Sequence, residues 1–282
     1  MEKNDLFDSA ANGNLNEVKS ILEQGVDINQ KDEDGYTALH WAAQEGYTNL
    51  VAFLLQNDAN INARDIDGIT PLEIASIYGR AEIVKLLISC GCDLKINREG
   101  FTAMHAAASH GSYEVLKLLL KSGSKVNQQD RYGYSPLLWA VQENYLNCVE
   151  LLVDFGADVN IQSNDGESPL YVAASEGYVD IVDYLVSHHA DINIKCEGSD
   201  QTTPLIIASV YDRPEVVKRL VDRGADLEVR DEYGQTALFW AAHYKNVEVV
   251  KILLESGANT QIINRSGKRL KRLLRKLKQD EH

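Results

Sequence analysis

Several features that define common protein classes are scarce or missing in this sequence. Four cysteines among 282 residues are too few for a disulfide framework and fit a reducing compartment. No apolar run approaches the roughly 18 residues of a membrane span, and the first residues do not resemble a secretion signal. Basic residues number 28 against 42 acidic ones, and the resulting net charge of −14 disfavours nucleic acids and anionic membranes as partners. We therefore expect an intracellular, cytoplasmic protein, with the nucleus as the alternative location.

What the sequence does contain is a repeat. Glycine recurs at spacings of 33, 32, 33, 33, 35, 33 and 33 residues, if Gln201 is counted in the place of one glycine. The reference glycines are Gly35, Gly68, Gly100, Gly133, Gly166, Gly234 and Gly267. Two residues after the reference position, in seven cases, comes Ser or Thr, then Pro or Ala, then Leu or Met. A period in this range predicts a stack of similar structural units.

Each unit is predicted to hold two helices and a hairpin. The Ser or Thr can cap a helix, and Pro suits the first helical turn because its missing donor costs nothing there. The first helix runs through paired alanines such as Ala42-Ala43, which let a neighbouring helix approach closely. We expect it to stop at a residue that accepts the left-handed conformation. Those stop positions are Gly46, Gly79, Gly111, Asn144 and Gly177, with Asp212 and Lys245 as less suitable residues in the same phase.

These features resemble the ankyrin-repeat family, most closely at Thr37-Ala38-Leu39-His40 and Thr102-Ala103-Met104-His105. The resemblance implies an all-α repeat solenoid, each unit of about 33 residues forming a helix-turn-helix and a β-hairpin loop. It covers residues 1–265, which we interpret as one elongated domain with a capping segment at 1–33. The predicted repeats are 34–66, 67–98, 99–131, 132–164, 165–199, 200–232 and 233–265.

The pattern is interrupted in two places. The repeat at 165–199 has two extra residues, and Gln201 replaces the next glycine, so we expect a longer hairpin of different shape there. Pro214 follows Arg213 at the start of a second helix and is compatible with a first helical turn.

Residues 266–282 depart from the repeat and carry seven basic and two acidic residues. Leu270, Leu273, Leu274 and Leu277 share one helical face, which favours a final helix that caps the last repeat. Two alternatives stay open: a nuclear-import signal, and a basic amphipathic helix for calmodulin or membrane surfaces. If nucleic acid is bound at all, we expect the segment Lys268–Lys278 to bind it.

No catalytic or phosphate-binding motif is present. Cys90 and Cys92 could suggest a metal site, as could the pair His188-His189, but the two pairs lie three repeats apart. At about 10 Å per repeat they are too distant to share an ion. We expect no metal, no cofactor and no enzymatic activity.

The conspicuous histidines and tryptophans are predicted to be structural. His40 and His105 stand where the resembling family uses histidine for internal hydrogen bonds. Trp41, Trp139 and Trp240 lie six residues after their reference glycines, and we expect them to fill a core position between stacked helices.

The resemblance also implies where a partner binds, because that family usually holds partners on the concave side of the stack, at the hairpin tips and on the exposed face of each first helix. Transferred by phase, these positions predict an aromatic stripe from Tyr36 to Tyr134, flanked by Asp34, Glu167 and other carboxylates. The alternative is that the aromatic rings only lean on neighbouring hairpins. The candidate partner-binding residues are Tyr36, Glu45, Ile69, Tyr78, Phe101, His110, Tyr132, Tyr134, Glu143, Glu176, Tyr211 and Tyr244.

Together these observations predict a monomeric, non-catalytic interaction module, acting as an adaptor, scaffold or inhibitor. The partner is expected to be a protein or peptide with basic and hydrophobic side chains. The alternatives are a regulatory subunit or host-directed effector of an enzyme complex, and a weak nucleic-acid or nuclear-import role of the basic tail.

Overall fold

The computed structural model describes residues 6–95, 98–198 and 200–261, and this part of the chain is built from pairs of short helices. The pairs are α1 (Leu6–Ala11) and α2 (Leu15–Glu23), α3 (Ala38–Glu45) and α4 (Thr48–Gln56), α5 (Pro71–Ile77) and α6 (Ala81–Ser89), α7 (Ala103–Ser109) and α8 (Tyr113–Lys121), α9 (Pro136–Gln142) and α10 (Leu146–Asp154), α11 (Pro169–Glu176) and α12 (Val179–Ser187), α13 (Pro204–Val210) and α14 (Pro214–Asp222), and α15 (Ala237–Tyr244) and α16 (Val247–Glu255). In the described ranges the only β-type pairing is an isolated bridge between Arg98 and Phe101. The prediction of an all-α repeat fold is confirmed.

The chain divides into two compact units. Unit 1 comprises residues 1–131 and 154–156, and unit 2 comprises residues 132–153 and 157–282. Within unit 1 the first helices of successive repeats, α1, α3, α5 and α7, pack on each other in chain order. Within unit 2 the first helices α9, α11, α13 and α15 do the same. The interpretation of residues 1–265 as one elongated domain stays a prediction.

The first helices begin as the sequence predicts. Thr70, Ser135, Ser168 and Thr203 each accept the amide of the third helical residue at 3.2 to 3.3 Å. A proline follows each of them as the first helical residue. Such a cap is worth about 1 kcal/mol, so the motif helps to fix the start of these four first helices.

The predicted helix stops are also confirmed. The residue at each stop has a positive φ, including the non-glycine residues Asn144, Asp212 and Lys245 at 59°, 53° and 67°. At Gly177 a Cβ atom would also lie only 3.0 Å from the Arg213 side chain, so space as well as φ favours glycine there.

The core of each repeat is made of small and aliphatic side chains. The alanine pairs of the first helices are fully or almost fully buried, and so are the aliphatic residues of the second helices, such as Val84, Leu87, Val250 and Leu253. Burying one such leucine contributes roughly 1.5–3 kcal/mol. Because alanines line the contacts between first helices, these helices can approach closely and leave other positions free to vary.

Hairpin length follows the spacing of the reference glycines. In the regular hairpins the closing backbone bond spans four positions, as from Asp65 N to Ile69 O. It spans three positions, from Arg98 to Phe101, where the repeat is one residue shorter. It spans six, from Cys196 to Thr202, where the repeat has two extra residues, and Gln201 there has a φ of 51°. The predicted longer hairpin is confirmed.

Two other predictions concern chain ends and helix starts. Pro214 is the first residue of α14, with Arg213 preceding it, as expected. The predictions for residues 266–282, including the capping helix and the import signal, lie outside the described residues.

Candidate protein-binding surface

Two sets of side chains occupy the positions at which partner binding is predicted. The hairpin row consists of the residues that follow the reference positions, and the helix-end row consists of the residues at the C-terminal ends of first helices. The hairpin row contains Tyr36, Ile69 and Phe101 in unit 1, and Tyr134, Glu167, Thr202 and Gln235 in unit 2. The helix-end row contains Glu45, Tyr78 and His110 in unit 1, and Glu143, Glu176, Tyr211 and Tyr244 in unit 2.

The aromatic residues of the hairpin row are half-buried against their own repeats. The Tyr36 ring lies 5.3 Å from the His40 ring and 5.2 Å from the Trp41 ring. The Phe101 ring stacks on His105 at 5.3 Å, and the Arg98 guanidinium lies 4.9 Å from its centroid. These contacts give the rings a structural role, and the binding role of Tyr36, Ile69 and Phe101 stays a prediction.

Tyr134 has a similar position in unit 2. Its ring packs on Trp139 at 5.3 Å, and its hydroxyl donates a hydrogen bond to Glu167 Oε2 at 2.6 Å. The bond joins the hairpins of two successive repeats. Tyr134 therefore acts as a link between repeats, whatever else it binds.

The tryptophans do not lie in the predicted core position. Trp41 and Trp240 are half-buried, and each indole N–H donates to a hairpin aspartate, at 2.8 Å to Asp32 and at 2.7 Å to Asp231. The equivalent Ile74 is only 1% exposed. The prediction was wrong because an indole is too large for this position and its N–H needs a polar partner. Each of these tryptophans instead connects its first helix to the hairpin through this hydrogen bond.

The two histidines have the predicted internal hydrogen bonds. His40 is fully buried, its Nδ1 accepts the amide of Thr37 at 3.1 Å, and its Nε2 lies 3.2 Å from the carbonyl oxygen of Ile69 in the next repeat. His105 Nδ1 likewise accepts the amide of Thr102 at 3.1 Å, but its Nε2 lies 2.9 Å from the Gln128 carbonyl oxygen within its own repeat. Burial is the main cause that lowers the pKa of His40. The neutral ring thus fastens one repeat to the next.

One repeat replaces this histidine by a buried glutamate that is paired with a half-exposed arginine, and sequence reasoning missed the pair. Glu73 occupies the position of His40, and its carboxylate lies 2.8 Å from Arg98 Nε. Burial raises the pKa of Glu73, and the Arg98 charge opposes that effect. Two departures from the repeat pattern could have revealed this pair. Glu73 replaces the histidine, and Arg98 replaces the aspartate that binds the hairpin backbone in other repeats, as Asp65 and Asp231 do.

The helix-end row, in contrast, faces solvent. Tyr78, Tyr211 and Tyr244 have 50%, 56% and 52% of their surface exposed. Glu45, His110, Glu143 and Glu176 are exposed as well. Exposed tyrosines at equivalent positions of different repeats offer wide contact area at a low cost in side-chain entropy.

Two hairpin-tip tyrosines, one residue before a reference glycine, are exposed too. Tyr132 is a candidate residue and is 54% exposed; Tyr233 is 57% exposed. The Tyr233 hydroxyl donates to Asp200 Oδ1 at 2.9 Å, and this bond is the main cause that raises its pKa to about 12. Sequence reasoning missed one further exposed apolar residue, Ile66, which is 71% exposed. It could have been found because the other repeats have a polar residue at this hairpin position.

Hydrogen bonds between repeats hold the helix ends of unit 2 in place. The Tyr178 hydroxyl donates to Gln142 O at 3.5 Å, and Arg213 Nε donates to Ser175 O at 2.9 Å. Asn246 Nδ2 donates to Ser209 O and Val210 O at 2.8 and 3.1 Å. Each donor precedes a second helix and satisfies carbonyls at the end of the preceding repeat's first helix. The surface is therefore organised before any partner binds.

Asparagines make a comparable link between hairpins. The side-chain oxygens of Asn29, Asn62, Asn160 and Asn193 each accept a backbone amide of the next repeat at 2.7 to 3.0 Å. The link recurs in both units and fixes the spacing of neighbouring hairpins.

Other kinds of site find little support in the described residues. Within 6–95, 98–198 and 200–261, no three or more His, Cys, Asp or Glu side chains are placed to hold a metal ion. Burial is the main cause that raises the pKa of the Cys92 and Cys148 thiols to about 11, so these thiols are poor nucleophiles at neutral pH. None of the described helices has the length and apolar character to cross a bilayer.

Comparison with known proteins agrees with this architecture. A family model described as ankyrin repeats, three copies, matches residues 6–98, 63–130, 123–196 and 194–264. Over 41 residues the chain is 44% identical to "Ankyrin repeat domain-containing protein 39" of Bos taurus. That alignment covers 14% of this chain and only 22% of the relative.

Proposed function

The chain belongs to the ankyrin-repeat family, and on that premise we propose that it binds a partner protein through its helix-end row and the neighbouring hairpin tips. Ankyrin repeats generally mediate protein–protein interaction, and proteins built from them are typically non-enzymatic. In this proposal the chain is an adaptor, scaffold or inhibitor, and its partner carries basic and hydrophobic side chains.

The observation that carries the proposal is the exposure of the helix-end tyrosines. Tyr211 and Tyr244 are more than half exposed, and in the described ranges neither hydroxyl has a hydrogen-bond partner. Large apolar groups held in ordered positions outside the core are typical of binding surfaces. The bonds from Arg213 and Asn246 favour binding further, because a preorganised surface loses less entropy on association.

The chain's charge supports the partner's chemistry. A net charge of −14 attracts basic proteins and repels nucleic acids. None of the four cysteines, all of them among the described residues, forms a disulfide, and this supports an intracellular, reducing location as part of the proposal. A regulatory subunit of an enzyme complex is one form that this function can take.

Affinity capture from a cell extract, followed by titration of the recovered partner, tests the proposal. The variant Tyr211→Ala/Tyr244→Ala should bind the partner at least about tenfold more weakly, since each truncated hot spot costs more than about 1 kcal/mol. Phe155→Ala is a matched control, because Phe155 is 41% exposed but follows a second helix. Equal binding by the wild type and the double variant, with the same melting temperature, would refute the proposed surface.

A further inference from the structure

The helix-end row of unit 2 changes its chemistry along its length. It begins with two carboxylates, Glu143 and Glu176, and ends with two aromatic rings, Tyr211 and Tyr244. Their first helices, α9, α11, α13 and α15, pack in this order, so the row has an acidic half and an aromatic half. At about 10 Å between packed helices, the four residues span about 30 Å, the length of about nine residues of extended chain.

The acidic half is available to a cation. Glu143 and Glu176 are exposed, and neither carboxylate forms an ion pair with any side chain in the described ranges. The two carboxylates lie close enough together to act on the same hydroxyl, that of Tyr178. Burial is the main cause that raises the pKa of Tyr178, and the charges of Glu176 and Glu143 raise it further. The charge of Arg213 lowers it. Arg213 is half-buried, and its Nε is engaged with the Ser175 carbonyl, so it offsets only part of this negative charge.

The aromatic half ends in a packed group of rings around Tyr244. Tyr244 stacks on Trp240 with ring centroids 5.8 Å apart and an angle of 18° between the planes. His243 lies edge-on to both rings, at 5.0 Å from Tyr244 and 5.6 Å from Trp240. Tyr211 holds the equivalent position in the preceding repeat. Such flat, ordered surfaces bind aliphatic and aromatic side chains.

The row is also fixed in length. Tyr178, Arg213 and Asn246 bond the end of each first helix to the following repeat, so the distance between the acidic and aromatic halves is set by the fold. A rigid row of this kind selects partners by the order of their side chains as well as by their composition.

We propose that the helix-end row of unit 2 binds an extended peptide segment of about nine residues that is basic in one half and apolar in the other. Arginine or lysine side chains pair with Glu143 and Glu176, and aliphatic or aromatic side chains lie on Tyr211 and Tyr244. The inference rests on the proposed function and adds to it the partner's charge pattern.

Two synthetic peptides of identical composition test this inference on the full chain. The block peptide has its arginines in one half and its leucines and tyrosine in the other, and the shuffled peptide alternates them. Fluorescence anisotropy should give an affinity for the block peptide about tenfold higher than for the shuffled one. Equal affinities, or no binding of either peptide, would overturn the inference.

Three double variants separate the two halves. Glu143→Gln/Glu176→Gln should weaken block-peptide binding about tenfold and flatten its salt dependence. Tyr211→Ala/Tyr244→Ala should weaken it similarly and leave the salt dependence steep. Glu215→Gln/Glu248→Gln, which neutralises two exposed carboxylates at second-helix starts, is the matched control and should bind like the wild type.

The outcomes also distinguish this inference from the proposed function. If the tyrosine variant loses its captured partner while the glutamine variant binds the block peptide like the wild type, the charge pattern is wrong and the proposed function stands. If neither variant changes the binding of peptide or partner, both proposals fail.

Discussion

The hairpin row and the helix-end row carry similar residues and have different roles. Tyr134 in the hairpin row is half-buried, packs on Trp139 and donates a hydrogen bond to Glu167. Tyr211 in the helix-end row is 56% exposed. The difference shows that an aromatic residue at a repeated surface position is evidence of binding only where the fold does not already use it.

The largest effect is expected where a hairpin residue neutralises a buried charge. Arg98→Ala leaves the Glu73 carboxylate, 4% exposed, without its partner. Loss of Arg98 should lower the free energy of unfolding by roughly 2–3 kcal/mol, less than for a fully buried pair because Arg98 is 38% exposed, and urea denaturation measures it. The second substitution in Arg98→Ala/Glu73→Gln should restore most of that stability. A loss below about 0.5 kcal/mol for Arg98→Ala would show that Glu73 is solvated, contrary to its burial.

The two rows can be compared directly by truncating one tyrosine in each. Tyr134→Ala removes a ring contact and an inter-repeat hydrogen bond, and should lower the free energy of unfolding by about 2 kcal/mol. Tyr211→Ala removes an exposed side chain and should change it by less than about 0.5 kcal/mol. Equal losses of unfolding free energy in the two variants would contradict the different roles assigned to the two rows.

The sequence predicted those parts of the fold that depend on neighbours in the chain. Caps such as Thr70, the stops at Asp212 and Lys245, and the longer hairpin before Thr202 all follow from local rules of backbone geometry and helix ends. The spacing of the reference glycines then placed each element in its repeat.

The rest depends on contacts between repeats, which one sequence does not reveal. Tyr178, Arg213 and Asn246 each donate a hydrogen bond to the end of the preceding repeat's first helix. Because three different side chains make this bond, it has no sequence motif. Glu73 and Arg98 are 25 positions apart, and both depart from the residue usual at their positions. The separation of structural from exposed tyrosines likewise required the packing of the hairpins.

A smaller effect is expected from pH, again at a residue that joins two repeats. Burial holds the pKa of His40 below its ordinary value of 6.5, whereas the unfolded chain titrates normally. Below pH 6.5 the unfolded state therefore takes up a proton that the folded state resists, and stability should fall as the pH decreases. Glu73, whose pKa is raised above 4.5, opposes this trend at lower pH, because its protonation favours the folded state.

Urea denaturation between pH 7.5 and pH 5 measures this slope. His40→Gln should flatten it. An identical slope in the wild type and in His40→Gln would mean that folding does not lower the pKa of His40.

The most direct test of the account is covalent footprinting of tyrosines in the full chain, free and bound to its captured partner. We predict that Tyr211 and Tyr244 lose reactivity on binding, while Tyr36 and Tyr134 keep the low reactivity set by their packing. Protection confined to the hairpin row, with Tyr211 and Tyr244 unchanged, would contradict the assignment of the helix ends as the binding surface.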